Sequence, residues 1–189
     1  MKKNIIIAGV GGQGILTIAS IIDKAAMLQG LNVKQAEVHG MSQRGGDVQS
    51  HLRISSDTIY SDLIPKGKCN LIIAVEPMEA LRYIEFLEPN GTIITANEPF
   101  KNIPNYPDDA LIQKSLKQHN ATLVDATEMA RLAGNARSSN VAILGAAAKY
   151  TGIPKERFIE AISNMFISKG NAIVELNMKA FELGAKLTE

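Results

Sequence analysis

The sequence has 189 residues, of which 46% are hydrophobic, and 20 basic against 19 acidic residues give a formal net charge of +1. This length suits one ordinary domain with a sizeable core, and the balanced charge excludes the strongly basic surface typical of nucleic-acid-binding proteins. The single cysteine, Cys69, excludes an intrachain disulfide. It also excludes an iron–sulfur cluster held by this chain alone, which needs about four thiolates.

The sequence shows no targeting signal and no membrane span. Glycines directly follow and interrupt the apolar residues 5–10, so the apolar region of a signal peptide is missing. No run of about 18 apolar residues is present that could cross a bilayer. We therefore expect a cytoplasmic protein that binds neither membranes nor nucleic acid.

Strand and helix patterns alternate along the first two thirds of the chain. Residues 4–8 form a β-branched run typical of a strand buried on both faces, and residues 12–28 carry apolar side chains at helical spacing. Further strands are predicted at residues 32–38, 70–75, 92–96 and 122–124. Helices are predicted to begin near Pro77, near Asp108 and near Thr127, and the chain is helical from residue 138 onward.

Two local patterns refine this arrangement. Residues 48–54 alternate apolar and polar side chains, and a turn at residues 55–57 leads into residues 58–60, so a hairpin is predicted there. Pro77 suits a first helical turn, so we expect a helix from Pro77 to about residue 87, followed by a turn at residues 89–91. Together the patterns predict one α/β domain over residues 1–189. Its fold is expected to be Rossmann-like, an open, mostly parallel twisted sheet with helices on both faces and a helical C-terminal segment.

A glycine turn follows the first predicted strand. Residues 9–14, GVGGQG, match the pattern G-x-G-x-x-G between a strand and a helix. Glycines in this context allow a tight turn and a close backbone approach, and the helix start favours an anion. We therefore predict a cofactor site that includes Gly9, Gly11, Gly12, Gln13 and Gly14. A tight turn that binds nothing is the alternative.

Glu37 ends the second predicted strand, about where a dinucleotide-binding fold places the acid that binds ribose. An independent NAD(P)-binding Rossmann oxidoreductase is therefore a second interpretation of the sequence. A solvated charge at the end of a strand explains the same residue without any ligand.

The loop after the second strand is the segment with the most functional character. The loop contains a hydroxyl, a guanidinium and two flexible positions, in Ser42, Arg44, Gly45 and Gly46. It lies near the carboxyl end of a strand, where open sheets bind ligands. Arg44 could hold a phosphate or a carboxylate through two hydrogen bonds. We expect these four residues to belong to the cofactor site, with a plain surface loop as the alternative.

The sequence identifies no catalytic residue and no metal site. His39, His51 and His119 are too dispersed for a metal site, and thiol-protease, zincin and α/β-hydrolase motifs are absent. Cys69 adjoins a predicted buried strand, which indicates an inert thiol.

Two motifs together resemble the gamma-domain family of 2-oxoacid:ferredoxin oxidoreductases. The motifs that carry the resemblance are GVGGQGI at residues 9–15 and HGMSQRGGDVQSHLRIS at residues 39–55. Their pairing is far more specific than either motif alone. The similarity continues over nearly the whole chain through NLIIAVEP, LEPNGTIITAN and NVAILGA, at residues 70–77, 87–97 and 140–146. Within the family, the sequence looks most like the beta subunits of the indolepyruvate enzymes. Gamma subunits of the pyruvate and 2-oxoglutarate enzymes are the alternatives.

The resemblance implies a subunit of an enzyme that oxidatively decarboxylates a 2-oxoacid with coenzyme A, giving an acyl-CoA, carbon dioxide and reduced ferredoxin. It implies that thiamine diphosphate and the iron–sulfur clusters lie on a larger catalytic subunit, with ferredoxin as the electron acceptor of the complex. We expect this chain to be inactive alone and to hold no cofactor by itself. Contacts to coenzyme A are implied for the glycine turn, residues 11–14, and for Arg44.

Overall fold

The computed structural model of the protein describes residues 1–39 and 45–189. Within them lies a six-stranded sheet made of β1 (Lys2–Val10), β2 (Asn32–His39), β3 (Asp47–Ser55), β4 (Cys69–Ala74), β5 (Leu87–Ala96) and β6 (Thr122–Val124). The helices are α1 (Ile15–Leu28), α2 (Pro77–Arg82), α3 (Asp109–Gln118), α4 (Ala126–Ala133), α5 (Ser139–Thr151), α6 (Lys155–Phe166) and α7 (Asn171–Lys186). None of the described helices has the length and apolar composition needed to cross a membrane.

The sheet has the strand order β2-β3-β1-β4-β5-β6. The pairs β1–β4, β4–β5 and β5–β6 are parallel, whereas β3 is antiparallel to both of its neighbours. Parallel strands bring their carboxyl ends to one edge of the sheet, where open α/β sheets form ligand sites. The predicted α/β fold with a mostly parallel sheet is confirmed.

Helices cover both faces of this sheet. Successive side chains of β1 point to opposite faces and enter two separate cores. Ile5 and Ile7 belong to a core with α1, α5, α6 and α7, whereas Ile6 and Ala8 belong to a core with α2 and α3. All four side chains are fully buried. This two-sided burial explains why β1 is apolar at successive positions instead of alternating.

The predicted helical C-terminal segment packs onto the first of these cores. The rings of Phe158 in α6 and Phe181 in α7 stack with their centroids 5.6 Å apart. Gly145 in α5 and Gly184 in α7 lie where the two helices cross, and a Cβ at either position would overlap the backbone of the other helix. Glycine at these two positions therefore allows α5 and α7 to pack backbone against backbone.

The predicted hairpin between residues 48–54 and 58–60 is wrong. β3 pairs with β2 along one edge and with β1 along the other, so no edge remains for residues 58–60. Residues 58–60 form no strand. The segment that follows lies against β3, where the N–H of Ile64 donates to His51 Nδ1 over 3.0 Å.

The segment between α2 and β5 also differs from the prediction. α2 ends at Arg82, a 3-10 helix follows at Ile84–Phe86, and residues 89–91 lie within β5 instead of forming a separate turn. β5 pairs with Cys69 through Leu87 and with Leu71 through Thr92, so its intervening residues form an irregularity in the ladder. Proline and glycine are tolerated at such a break in strand pairing.

Asp23 in α1 is a carboxylate with an uncompensated buried oxygen. Its Oδ1 is buried and accepts no hydrogen bond from the described residues, and burial raises the pKa of the side chain from 3.8 to about 7. Between these two pH values the folded protein keeps a proton that the unfolded chain has lost. The destabilising effect of Asp23 is therefore absent below about pH 4 and complete above about pH 7.

We expect Asp23→Asn to raise the free energy of unfolding by about 2 kcal/mol at pH 8 and to change it much less at pH 4. This value is smaller than the full pKa shift would give, because solvent screens the charge of a partly buried side chain. Urea unfolding of both proteins at the two pH values measures the difference, and Glu182→Gln on the exposed face of α7 is the matched control. A gain from Asp23→Asn that does not depend on pH would contradict the prediction.

Candidate functional site

The predicted glycine turn lies at the carboxyl end of β1 and leads into α1. A Cβ on Gly9 would overlap the side chain of Val75, so the first glycine permits close packing beside the end of β4. Gly12 and Gly14 have φ angles of 102° and 81°, which few residues other than glycine adopt readily. Gly14 is also the residue that caps the start of α1. The glycine spacing is thus explained by packing and backbone geometry.

Gln13 closes this turn from within. Its Oε1 accepts a hydrogen bond from the N–H of Val10 over 2.8 Å, and its own N–H donates to the Val10 carbonyl over 3.1 Å. Both groups are therefore used to hold the turn in shape.

The structure brings the glycine turn together with the loop after β2. The N–H of Gly11 donates to the Gly46 carbonyl over 2.8 Å, and the N–H of Gly45 donates to the Gly11 carbonyl over 3.3 Å. Asn102 adds a third contact, because its Nδ2 donates to the Gly45 carbonyl over 2.7 Å. Ser42 and Arg44, the other two predicted site residues of this loop, lie outside the described residues.

Asn140, at the start of α5, is a site residue that the sequence analysis missed. Its side chain is 7% exposed, its Nδ2 donates to the Gly14 carbonyl over 3.1 Å, and its Oδ1 accepts from the N–H of Val141. A Cβ on Gly14 would overlap this amide. The third glycine therefore packs against α5. The available signal was a polar side chain at the start of an otherwise apolar helix, in the motif NVAILGA.

The start of α1 offers backbone donors. Among hydrogen bonds between described residues, none is donated by the N–H groups of Gly12, Gly14 or Ile15. α1 has no side-chain cap and no acidic residue in its first turn. Exposed amides and the positive end of the helix dipole favour an anion at this point.

One cavity, of about 350 Å³, lies between the turn and β2. Its lining includes Gly11, Gly14, Leu16, Glu37, His39 and Val48. The structure therefore does place Glu37 opposite the glycine turn. However, β3 lies between β2 and β1, which separates Glu37 from β1 by two strand spacings, or roughly 10 Å. In a dinucleotide-binding fold the strand with the ribose acid is the direct neighbour of β1, so this topology disfavours the NAD(P) interpretation.

A second and larger cavity, of about 700 Å³, lies on the other side of the turn, against the C-terminal helices. Its lining includes Gln13, Thr17, Asn135, Arg137, Asn140 and Lys169. The described lining residues of the two cavities differ in charge, because Glu37 lines the first, whereas two cationic side chains line the second. The glycine turn forms part of the wall of both.

Glu76, directly after β4, is a second residue that the sequence analysis missed. Its side chain is fully buried, and it accepts hydrogen bonds from the N–H groups of Glu79 and Phe100, over 2.8 and 3.3 Å, and from the Tyr106 hydroxyl. Burial and this hydrogen bond raise the pKa of Tyr106. Glu76 thus ties α2 to the loop that carries Asn102. An acidic residue before the helix-starting proline was the only local signal.

Two other titratable side chains are structural. His51 is 4% exposed, and its Nδ1 accepts a hydrogen bond from the N–H of Ile64. Its ring meets that of Phe86 edge-on, with the ring centroids 5.5 Å apart. Burial lowers the pKa of His51. Cys69 is fully buried, and burial raises the pKa of its thiol to about 12. Both therefore remain uncharged near neutral pH, and Cys69 is the inert thiol that the sequence predicted.

Comparison with known proteins adds a family to this geometry. The family model described as pyruvate ferredoxin/flavodoxin oxidoreductase matches residues 4–187. Two similar proteins are named indolepyruvate oxidoreductase subunit IorB. That of Archaeoglobus fulgidus is 42% identical over 97% of this chain and 94% of its own length. That of Thermococcus kodakarensis is 38% identical over 98% of this chain and 96% of its own length.

Solved structures share the fold. The gamma subunit of a keto/oxoacid ferredoxin oxidoreductase from Geobacter sulfurreducens gives a TM-score of 0.72 at 25% identity, covering 98% of both chains. A second structure is a 2-oxoglutarate:ferredoxin oxidoreductase from Magnetococcus marinus, described with 2-oxoglutarate, coenzyme A and succinyl-CoA bound. It gives a TM-score of 0.76 at 20% identity, covering 99% of this chain and 31% of the other. Since the family model spans nearly all of the sequence and the named relatives align end to end, this chain belongs to the pyruvate ferredoxin/flavodoxin oxidoreductase family.

Proposed function

We propose that this chain is the small subunit of an indolepyruvate:ferredoxin oxidoreductase and acts as one gamma-type domain over residues 1–189. The observation that carries the proposal is its identity of 42% and 38% to two proteins named as subunits of an indolepyruvate oxidoreductase, over nearly their whole lengths. A gamma subunit of a pyruvate or 2-oxoglutarate enzyme is the second candidate, which the shared fold with a 2-oxoglutarate enzyme supports.

The complex would oxidatively decarboxylate an aryl 2-oxoacid with coenzyme A and pass the electrons to ferredoxin. Thiamine diphosphate and iron–sulfur clusters supply the carbanion and electron-transfer chemistry of such a reaction. This chain does not fit a cluster, because Cys69 is its one cysteine and is fully buried. The described residues also contain no group of three or more His, Cys, Asp or Glu side chains placed to hold a metal. We therefore assign these cofactors to a larger partner subunit.

The chain's own part is to contribute binding surface. We assign coenzyme A contacts to the glycine turn and the loop that it meets, namely Gly9, Gly11, Gly12, Gln13, Gly14, Ser42, Arg44, Gly45 and Gly46. Support comes from the donor-rich start of α1 and from the hydrogen bonds that join Gly11 to Gly45 and Gly46. Gly9 and Gln13 act here by shaping the turn, and Gly12 and Gly14 by presenting amides. A cytoplasmic location, away from membranes and nucleic acid, suits a chain with one free thiol.

Isolation of the complex from its natural source, through an affinity tag on this chain, tests the proposal. We expect a larger subunit that carries thiamine diphosphate and shows the visible absorbance of iron–sulfur clusters. We also expect indolepyruvate to be oxidised in preference to pyruvate and 2-oxoglutarate. Preference for either of the other two acids would support the second candidate. A homo-oligomer of this chain with bound NAD(P) would contradict both and support an independent oxidoreductase.

A further inference from the structure

Asn102 joins two parts of the carboxyl edge of the sheet that are far apart in the sequence. It lies between β5 and α3, in residues 97–108, which are termed the β5–α3 loop. Its Nδ2 donates to the carbonyl of Gly45 over 2.7 Å, across a separation of 57 residues. Between described residues, this is the one side-chain hydrogen bond that joins the β5–α3 loop to residues 45 and 46.

Gly45 is held from two sides. Its carbonyl accepts the hydrogen bond from Asn102, and its N–H donates to the Gly11 carbonyl over 3.3 Å. The N–H of Gly11 in turn donates to the Gly46 carbonyl over 2.8 Å. A length of 3.3 Å exceeds the usual range for an N–H···O hydrogen bond. The shorter bond from Asn102 is therefore the stronger of the two that fix Gly45.

The β5–α3 loop is itself anchored on both sides of Asn102. The N–H of Phe100 and the hydroxyl of Tyr106 both donate to the carboxylate of Glu76, which is fully buried at the end of β4. Three prolines in the loop restrict its backbone further. Asn102 is thus presented to Gly45 from a fixed frame, which is what the positioning of a neighbouring segment requires.

Folding stability does not explain the amide at residue 102. The Oδ1 of Asn102 is buried and accepts no hydrogen bond from the residues that the structure describes. A buried acceptor without a donor lowers stability, so this side chain brings a cost to the fold along with its one contact. The interaction that accounts for the amide is the hydrogen bond to Gly45.

From these contacts we infer that Asn102 is a positioning residue, which fixes Gly45 and Gly46 against Gly11 of the glycine turn. The inference rests on the proposed function, because that function is what assigns Gly45 and Gly46 to coenzyme A. Asn102 acts through these two glycines and sets where the backbone after β2 lies relative to the anchored β5–α3 loop. Loss of one neutral hydrogen bond corresponds to about a five-fold change in an equilibrium constant, which is the size of effect expected.

Hydrogen exchange of backbone amides in the full chain tests the positioning independently of the reaction. With Asn102→Ala, the amides of Gly11 and Gly45 should exchange about five-fold faster, whereas amides of β4 should not change. The melting temperature should stay within about 3 °C, since the substitution also removes the unpaired buried oxygen. Asn102→Asp has the same shape without the N–H donor, so at pH 8 it should accelerate exchange at the same two amides. The matched control is Asn90→Ala, which removes an exposed amide from the irregular part of β5 and should change neither quantity.

Steady-state kinetics of the complex measures the consequence for the reaction. Both variants of Asn102 should raise the KM for coenzyme A about five-fold, and leave kcat and the KM for indolepyruvate within about two-fold. A loss of structure alone would instead lower the melting temperature or affect both substrates equally, and either result would overturn the inference.

The failures of the inference and of the proposed function are distinguishable. An active complex in which Asn102→Ala leaves the KM for coenzyme A unchanged would overturn the positioning role, while the function stands. Exchange at Gly11 and Gly45 that is the same in Asn102→Ala and Asn90→Ala would overturn it as well. If no complex of this chain oxidises a 2-oxoacid but exchange at Gly45 still depends on Asn102, the function fails and the positioning of Gly45 stands.

Discussion

Gly184→Val is expected to lower the free energy of unfolding by at least about 3 kcal/mol, because the new side chain would have to occupy the backbone of α5. A Cβ at residue 184 would overlap the carbonyl of Ala142, and a Cβ on Gly145 would overlap the carbonyl of Phe181. The overlap involves backbone atoms on both helices, so no rotation of a side chain can relieve it. α5 and α7 would have to separate along their whole contact.

Thermal or urea unfolding of the variant measures this effect. Gly145→Val should behave in the same way, since the two glycines face each other across one crossing. Lys179→Val on the exposed face of α7 is the matched control, and its helix propensity alone predicts a loss of about 0.5 kcal/mol. Equal stabilities of Gly184→Val and Lys179→Val would show that the helices do not pack backbone to backbone.

Glu76→Ala is expected to cost about 3 kcal/mol of stability, because it leaves three donors without an acceptor at a buried site. The N–H of Glu79 would lose its cap, while the N–H of Phe100 and the hydroxyl of Tyr106 would lose their tie to α2. Since the same loop carries Asn102, which contacts Gly45, the loop over the carboxyl edge of the sheet should also loosen.

Denaturant unfolding and proteolysis within residues 97–107 measure the two consequences separately. Glu76→Gln retains an acceptor oxygen of the same shape, so it should recover at least half of the lost stability and protect the loop from cleavage. Glu85→Ala, which removes an exposed carboxylate from the surface pair with Lys66, should change stability by less than about 0.5 kcal/mol. Stability of Glu76→Ala equal to that of Glu85→Ala would contradict the role assigned to Glu76.

Local sequence patterns predicted most of the fold, and the failures have a common physical cause. The continuous apolar run at residues 5–8 indicates a strand that is buried on both faces, because successive side chains enter two different cores. The predicted hairpin failed because strand pairing is nonlocal. Residues 58–60 follow β3 in the chain, but β1 and β2 already occupy both of its edges. Residues 89–91 look like a turn, and only the pairing that begins at Leu87 and resumes at Thr92 places them within β5.

The candidate site likewise combines residues that the local sequence predicted with residues that it did not. The glycine turn was predictable because strand, turn and helix are contiguous in the sequence. Asn140 contacts Gly14 across a separation of 126 residues, and nothing in the local pattern indicates that pairing. Arg137 and Lys169 are equally inconspicuous, since each looks like an ordinary surface cation until the starts of α5 and α7 are placed beside α1. The charge of a cavity belongs to the assembled helices, so it appears only in the folded chain.

The most direct test of the account is the turnover of the complex isolated through this chain, measured as ferredoxin reduction that requires both a 2-oxoacid and coenzyme A. We predict reduction with indolepyruvate and coenzyme A together, and none when coenzyme A is omitted or when this chain is supplied without its partner. Ferredoxin reduction by this chain alone, or 2-oxoacid oxidation by the complex that does not require coenzyme A, would contradict the assignment of this chain as a subunit that helps to bind coenzyme A.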